Sequence, residues 1–300
     1  LAGRTDALMV LVLERGRRQG SAHIGVVSIP RDLLVNLPGQ DHVRINTAYR
    51  HGLRASGSPA AAAALLRRTV HDVLGLPIHH HVFVDHAGFE GLVDTLGGID
   101  VEVRCPLVER FIDPRGEDGH LDLRLAAGVQ RLDGKSALLF ARARHGRGVI
   151  DRNRRQQAVL VGLRDRLKRL GAAGLVSLLP LLESSVFTDL DSLTMARLAR
   201  RLLHLRRSHL HGLLLRARHA PAQRLDDGRW VMVPNQEAIY RDLGRLFEQP
   251  LPGTRGSARR ACPAMNAGFV ARRARSKRRR RKGARKKSGV SAARGHAERR

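Results

Sequence analysis

Two short apolar runs dominate the start of the chain. Residues 7–13 (ALMVLVL) and 23–29 are nearly continuous in apolar side chains and have the length of single strands. Such runs are typical of strands that are buried on both faces of a sheet. Pro30 ends the second run, because proline has no N–H to donate to a sheet. We therefore predict two buried strands, followed by loops and turns over residues 31–50.

Segments with helical spacing of apolar residues then alternate with segments that have the spacing of strands. A helix is predicted to begin at Ser58-Pro59 and to end at Gly75, since serine caps helices, proline favours their first position and glycine ends them. A strand is predicted at residues 82–84 and a helix over residues 89–96. At residues 99–103, Ile and Val alternate with Asp and Glu, which indicates a half-buried strand.

The second half continues the alternation of strands and helices. Residues 137–144 (ALLFARAR) favour a strand, although their Ala and Leu content leaves a helix open. Asp151 is placed to cap a long helix, and residues 193–205 have amphipathic spacing. A short strand at 230–233 precedes a helix at 236–247. Alternating strands and helices predict an α/β fold, a layered α-β-α sandwich around a mixed, mostly parallel central sheet.

Charge divides the chain into two parts. The formal net charge is +28, and residues 253–300 hold 18 basic residues against the single acidic Glu298, or +17. Prolines and glycines after Gln249 are typical of a linker, so we predict one domain over residues 1–249 and a linker with a basic, disordered tail over 250–300. A chain this basic should bind phosphate groups, whether of nucleic acid, lipid headgroups or a phosphorylated substrate.

Arginines near predicted strand ends are the first candidates for such a site. Arg31 and Asp32 follow a buried strand, and ligands of open α/β sheets bind outside the carboxyl ends of strands. Arg142 and Arg144 are two apart, so on a strand both side chains project to one face. A phosphate or pyrophosphate fits between two guanidinium groups. The alternative is a pair of solvated surface arginines.

A second set of candidates lies at the start of the long helix. Arg152 and Gln156 share a face that becomes apolar further along the helix, so the first turn directs them inward. A helix N-terminus favours anions, although a basic first turn exposed to water explains the same pattern. Asp6, just before the first strand, is either a turn residue or a Mg²⁺ ligand that helps to neutralise a pyrophosphate.

Several segments together resemble one known family, the LytR-CpsA-Psr proteins. The matching segments occur in family order and are SIPRD at 28–32, RINTAY at 44–49, VDTLGGI at 93–99, LDGKSAL at 132–138, the R-x-R of Arg142 and Arg144, RQQ at 155–157 and TDL at 188–190. No single segment is specific, but their order is. The basic tail has no counterpart in this resemblance.

The resemblance implies an extracytoplasmic domain that is tethered to the cell membrane by an N-terminal helix. It implies a cleft for a polyprenyl-pyrophosphate-linked glycan, with peptidoglycan as the acceptor and Mg²⁺ as the cofactor. Asp6 would bind the metal. The side chains that would hold the pyrophosphate are Arg31, Arg44, Arg142, Arg144, Arg152 and Gln156. Catalytic roles would fall to Arg31, Asp32 and Asp151.

The implied reaction is phosphotransfer, in which a peptidoglycan sugar hydroxyl attacks the phosphorus nearest the carried glycan and polyprenyl phosphate leaves. Positioning and charge neutralisation account for most catalysis of this kind. Three features depart from the family pattern. The chain, which starts at Leu1, contains neither the membrane helix nor an aspartate usual just upstream, Arg44 replaces a lysine, and Val149 stands where an aspartate is usual.

Two other functions remain open from the sequence. The departures allow a module that binds polyprenyl phosphates without turnover. The basic run at 272–287 allows nucleic-acid binding, but it lacks interleaved aromatic residues for base stacking and belongs to no recognisable nucleic-acid fold. We expect no nucleic acid among the partners.

Overall fold

The computed structural model describes residues 5–15, 22–113, 117–144, 149–176, 185–249 and 251. The helices in this part of the chain are α1 (Ala48–Ser56), α2 (Pro59–Leu74), α3 (His86–Thr95), α4 (Gly134–Arg142), α5 (Val149–Val176), α6 (Ser192–His204) and α7 (Gln236–Leu243). The strands are β1 (Leu8–Arg15), β2 (Ala22–Ile29), β3 (Leu34–Leu37), β4 (Gln40–Arg44), β5 (Val82–Val84), β6 (Ile99–Val103), β7 (Leu107–Ile112), β8 (His120–Leu125), β9 (Gly128–Leu132), β10 (Val186–Thr188), β11 (Leu210–Leu214), β12 (Ala222–Arg224) and β13 (Trp230–Met232). None of these helices combines the length and the apolar character that crossing a bilayer requires.

A three-stranded sheet in the order β1-β2-β11 lies at the centre of the fold. Alternate residues of β2 enter two different apolar cores, as the two-residue period of a strand requires. Val27 and Ile29 pack into the core that contains the buried face of α2, whereas Ile24 and Val26 pack with Val161 of α5. Helices therefore cover both faces of this sheet.

The predicted α/β class and the mixed character of the central sheet are correct, but the sheet is not mostly parallel as predicted. In the central sheet, β1 pairs antiparallel with β2, and β11 pairs parallel with β2. Every other strand pair among the described residues is antiparallel. Short connections such as the Pro38-Gly39 turn between β3 and β4 account for part of this pattern, because a tight turn can join only antiparallel strands.

Cap chemistry placed α2 correctly. The Ser58 hydroxyl accepts a hydrogen bond from the Ala61 N–H at 3.3 Å, and Gly75 ends the helix with a φ of 67° in the left-handed region. The structure also confirms the strand at 82–84, the strand at 99–103 and the amphipathic helix near 193–205.

Two local predictions fail. Residues 31–50 hold the β3–β4 hairpin and the start of α1 rather than loops alone. Residues 137–142 belong to α4, so the strand argument for Arg142 and Arg144 is wrong, and the helix left open by the Ala and Leu content is what forms. Within the predicted linker, Leu251 is buried and its N–H donates to the Leu210 carbonyl, while the other linker residues lie outside the described part of the chain. The basic tail lies outside the described residues.

Candidate functional site

Asp6 is the centre of the candidate site. Its carboxylate lies 2.9 Å from Arg31 Nη1, 3.5 Å from Arg142 Nε and 3.5 Å from His86 Nε2. These partners come from the turn after β2, the last residue of α4 and the first residue of α3. Segments that are far apart in the sequence thus meet at one carboxylate just before β1.

The surroundings of Asp6 keep it ionised. The hydrogen bond with His86, together with the positive charges of Arg142 and Arg31, lowers its pKa from an ordinary value of 3.8 to about 2, although burial opposes the shift. At neutral pH the site therefore contains a permanent anion between guanidinium groups.

Asp32 adds one further arginine to the site, because it lies between Arg31 and Arg44. One carboxylate oxygen lies 3.7 Å from Arg31 Nε and the other 3.5 Å from Arg44 Nε. Arg44 also donates from Nη2 to the Trp230 carbonyl at 2.7 Å. The Asp32 carbonyl accepts from the Met232 N–H at 2.9 Å, so β13 fixes the backbone on which this carboxylate stands.

The backbone of Asn46 connects the segment that contains Asp6 to the turn that contains Asp32. Its N–H donates to the Arg31 carbonyl at 3.2 Å, and its carbonyl accepts from the Thr5 N–H at 3.2 Å. The RINTAY segment thus holds the Asp6 segment beside the turn that carries Arg31 and Asp32.

Arg152 is a buried cation beside this cluster. The residue is only 4 % exposed, and its Nε has no hydrogen-bond partner. Burial is the main factor that lowers the pKa of the Arg152 guanidinium, and repulsion from Arg31 lowers it further. The negative charges of Asp32 and Asp6 raise this pKa. An unpartnered guanidinium nitrogen in the protein interior is costly unless an anion completes its hydrogen bonds.

The RQQ segment ties α5 to three parts of the site. Gln156 Nε2 donates to the Asp6 carbonyl at 3.5 Å and to the Ala141 carbonyl at 3.4 Å. Arg155 donates to the Ala143 carbonyl, and Gln157 Nε2 donates to Ser28 Oγ at 2.9 Å. The motif therefore fixes the end of α4, the Asp6 segment and β2 against one helix.

Two further motifs orient the helix that carries Arg142. Asp133 caps α4 by accepting from the Ser136 N–H at 2.7 Å, and Asp94 Oδ1 accepts from the Gly134 N–H at 2.7 Å. A side chain at Gly134 would collide with the backbone carbonyl of Glu90 in α3. VDTLGGI and LDGKSAL are therefore docking surfaces of α3 and α4, and their contact directs the far end of α4 toward Asp6.

The structure brings most of the predicted residues together: Asp6, Arg31, Asp32, Arg44, Arg142, Arg152 and Gln156. Arg144 is exposed, and its backbone N–H donates to Glu109 Oε2 at 2.7 Å, next to residues 145–148, which lie outside the described part. Asp151 lies in the first turn of α5, 3.4 Å from Arg154. The direct contacts described for these two residues lie outside the Asp6 cluster.

His86 belongs to the cluster but was missed in the sequence. It stands at the start of α3, far from any motif, and no pattern of spacing marks it. The packing of α3 against α4 brings His86 to Asp6.

Mg²⁺ fits this site only with help from a ligand. Among the described residues, no three His, Cys, Asp or Glu side chains are grouped to hold a metal ion. Asp6 nevertheless supplies one ionised carboxylate beside Arg31 and Arg142. Mg²⁺ is commonly bound by one or two carboxylates together with substrate phosphates and water, so Asp6 and a pyrophosphate form a suitable donor set.

Fold and site together define an α/β domain with a cluster of arginines around two carboxylates at the end of its central sheet. Residues 1–245 match the LytR_cpsA_psr family, and the chain belongs to that family.

Its relatives include proteins of cell-wall assembly. The chain is 34 % identical over 156 residues to "Probable cell wall biosynthesis protein LcpB" of Corynebacterium glutamicum. The aligned segment covers 52 % of the chain and 32 % of LcpB. It is 33 % identical over 170 residues to the "Polyisoprenyl-teichoic acid--peptidoglycan teichoic acid transferase TagV" of Bacillus subtilis, covering 55 % of the chain and 39 % of TagV. The matches thus span well under half the length of these relatives.

Solved structures confirm the fold over most of the chain. The crystal structure of B. subtilis TagV superposes with a TM-score of 0.61 at 24 % identity, over 82 % of this chain and 91 % of that one. The structure described as "TagT bound to LIIa-WTA" gives a TM-score of 0.60 at 21 % identity, over 81 % of this chain and 84 % of that one.

Proposed function

We propose that this protein is a phosphotransferase that moves a glycopolymer from a polyprenyl-pyrophosphate carrier to a sugar hydroxyl of peptidoglycan. The observation that carries the proposal is the gathering of guanidinium groups around Asp6, one of them buried with an unpartnered Nε. The names of relatives such as TagV, a polyisoprenyl-teichoic acid transferase, support the substrate class.

The charges of the cluster favour a diphosphate. Arg31, Arg142 and Arg152 face Asp6, and Arg44 adds a further positive charge through Asp32. Four guanidinium groups against two carboxylates leave two positive charges uncompensated. A pyrophosphate diester carries two negative charges, and its oxygens match the fork of each guanidinium group.

The residues then have separate tasks in an in-line displacement. A peptidoglycan hydroxyl oxygen forms a bond to the phosphorus that carries the glycan, the bond from that phosphorus to the bridging oxygen breaks, and polyprenyl phosphate leaves. Arg142 and Arg152 stabilise the charge that develops on the phosphoryl oxygens, and Arg31 stabilises the leaving phosphate. Asp32 orients Arg31 and Arg44 and accepts the hydroxyl proton.

Asp6 is the residue that would hold Mg²⁺, and the metal would supply additional neutralisation of the pyrophosphate. We further propose that the protein acts outside the cytoplasm at the cell membrane, attached in its full-length form by an N-terminal helix. Arg144 and Asp151 remain candidates for substrate binding and catalysis through their place in the family motifs.

A transfer assay tests the proposal. The full chain is incubated with a lipid-linked saccharide and peptidoglycan oligomers, and the phosphodiester product is measured by mass spectrometry. We expect product from the wild type and about ten- to hundredfold less from Arg31→Gln, because a charge-assisted contact to a phosphoryl group contributes about 1.5–3 kcal/mol. Lys168→Gln, at an exposed position of α5, is the matched control.

Tight binding of the lipid-linked saccharide without product would overturn the enzymatic proposal. That result would instead favour the non-catalytic binding module, for which the single carboxylate at Asp6 and Val149 in place of an aspartate are the supporting observations.

A further inference from the structure

A basic cavity adjoins the Asp6 cluster. It has a volume of about 500 Å³ and is lined by Arg44, Arg50, His51, Arg54 and Arg229. Binding cavities for small molecules commonly have volumes of about 300–1,000 Å³, so this one is large enough for a phosphorylated sugar unit. The described residues that line it include no carboxylate.

Helix α1 presents its arginines to the cavity because the opposite face of the helix is buried against α2. Ala48, Tyr49 and Gly52 are buried, and a side chain at Gly52 would collide with the backbone of Ala62 in α2. With 3.6 residues per turn, Arg50 and Arg54 then share the face that points away from α2. The close packing of α1 on α2 therefore presents these two arginines together to the cavity.

The two arginines of α1 lack internal compensation. Like charges at positions i and i+4 of a helix destabilise it by a few tenths of a kcal/mol, and α1 contains no acidic residue. The other cations of the cavity have partners: Arg44 pairs with Asp32, and Arg229 pairs with Asp227. Within the part of the chain that the structure describes, neither Arg50 nor Arg54 forms an ion pair, so an external anion has two guanidinium groups available.

The cavity and the Asp6 cluster share a residue. Arg44 lines the cavity and also pairs with Asp32, whose other oxygen faces Arg31. An anionic chain that leaves the Asp6 cluster past Arg44 thus reaches the cavity along a side chain that belongs to both.

We propose that this cavity binds a phosphodiester group in the backbone of an anionic glycopolymer, one or more units away from the pyrophosphate. Arg50 and Arg54 hold the phosphodiester oxygens. The inference rests on the proposed function, because the polymer is taken to be the glycan that the carrier lipid delivers. It makes the protein selective for anionic polymers over neutral ones.

The test is a calorimetric titration of the full chain with a short oligo(glycerol phosphate). The variant is Arg50→Gln/Arg54→Gln, in which glutamine keeps the helix propensity of arginine. The control is Arg197→Gln/Arg201→Gln, which removes two exposed arginines at the same spacing from α6. Both variants keep the basic tail, so non-specific attraction changes equally.

We expect the cavity variant to bind the oligomer at least about tenfold more weakly, since hydrogen bonds to charged groups contribute about 1.5–3 kcal/mol. The control should stay within about twofold of wild type, as expected for solvated charges. Affinity for inorganic pyrophosphate, and for a neutral oligosaccharide of equal length, should not change in the cavity variant. Its melting temperature should equal that of the wild type or exceed it.

Equal loss in the control, or no loss in the cavity variant, would overturn the inference. If a single-stranded DNA of the same charge loses affinity in parallel with the oligomer, the cavity is a general polyanion site and the glycopolymer assignment falls. Failure of the proposed function has a different signature, since pyrophosphate would then bind no more weakly after Arg31→Gln while the cavity result stands unchanged.

Discussion

Replacing Arg152 with methionine should make the protein more stable and less able to bind pyrophosphate. Arg152 is 4 % exposed with an unpartnered Nε, and the positive charge of Arg31 lies close enough to lower its pKa. Methionine has a similar length, fills irregular space and needs no hydrogen bond. The substitution therefore removes a desolvation cost and a repulsion, but also a cation that attracts Asp6 and Asp32.

The two sides of this exchange are unequal. An unsatisfied buried polar group costs about 1–3 kcal/mol, and more if it is charged. The carboxylates that lose Arg152 keep other partners, since Asp6 retains Arg31 and Arg142. We expect a net gain of about 1 kcal/mol in the free energy of unfolding, or about 2–4 °C in melting temperature for a domain of this size.

Pyrophosphate affinity should change in the opposite direction. Loss of a charge-assisted contact of about 1.5–3 kcal/mol weakens binding about ten- to hundredfold. Thermal denaturation with and without pyrophosphate measures both effects, and Lys168→Met on the exposed side of α5 controls for the loss of one charge. A melting temperature that falls by several degrees without ligand, or a variant that binds pyrophosphate as tightly as wild type, would refute the reasoning.

Three further predictions concern the supports of the site. Gly134→Ala should lower the free energy of unfolding by about 2–3 kcal/mol in denaturant titrations, because its side chain meets backbone in α3, whereas Gly119→Ala, with open space around it, should cost only about 1 kcal/mol for its left-handed backbone. Asp94→Ala, which leaves the Gly134 N–H unpaired, should cost about 1–2 kcal/mol in the same titration and reduce pyrophosphate affinity by displacing Arg142; an unchanged affinity would contradict the positioning role of the α3–α4 contact. The folded-state pKa of Asp6 lies below its unfolded value, so the stability that the ionised carboxylate contributes is present above about pH 4 and is lost as the pH falls toward 2. We expect this contribution to be about 1–2 kcal/mol after allowance for solvent screening. Asp6→Asn should therefore flatten the acid limb of a plot of unfolding free energy against pH over this window.

The sequence predicted the elements with local signals and missed those that depend on tertiary contacts. Ser58, Pro59 and Gly75 mark the ends of α2 by their own chemistry. Strand β11 was missed, although all five of its residues are buried, because it is short and lies among arginines and histidines. Its only local irregularity, Gly212, is explained by the close approach of Leu251, which is distant in the chain.

The candidate site shows the same division. Arg31 and Asp32 were placed correctly at the exit of β2, since a strand and a proline mark that position. Arg142 reached the site for a reason other than the predicted one, because it stands at the end of a helix whose direction is set by Asp94 and Gly134. His86 carries no sequence signal, since only the packing of α3 onto α4 brings it to Asp6.

The position of Asp6 between Arg31 and Arg142 assembles the cation cluster before any ligand arrives. Guanidinium groups contributed by separate segments repel one another, and the Asp6 carboxylate offsets that repulsion in the free protein. A binding anion therefore does not have to supply the free energy that brings these cations together, which is the advantage of a preorganised site.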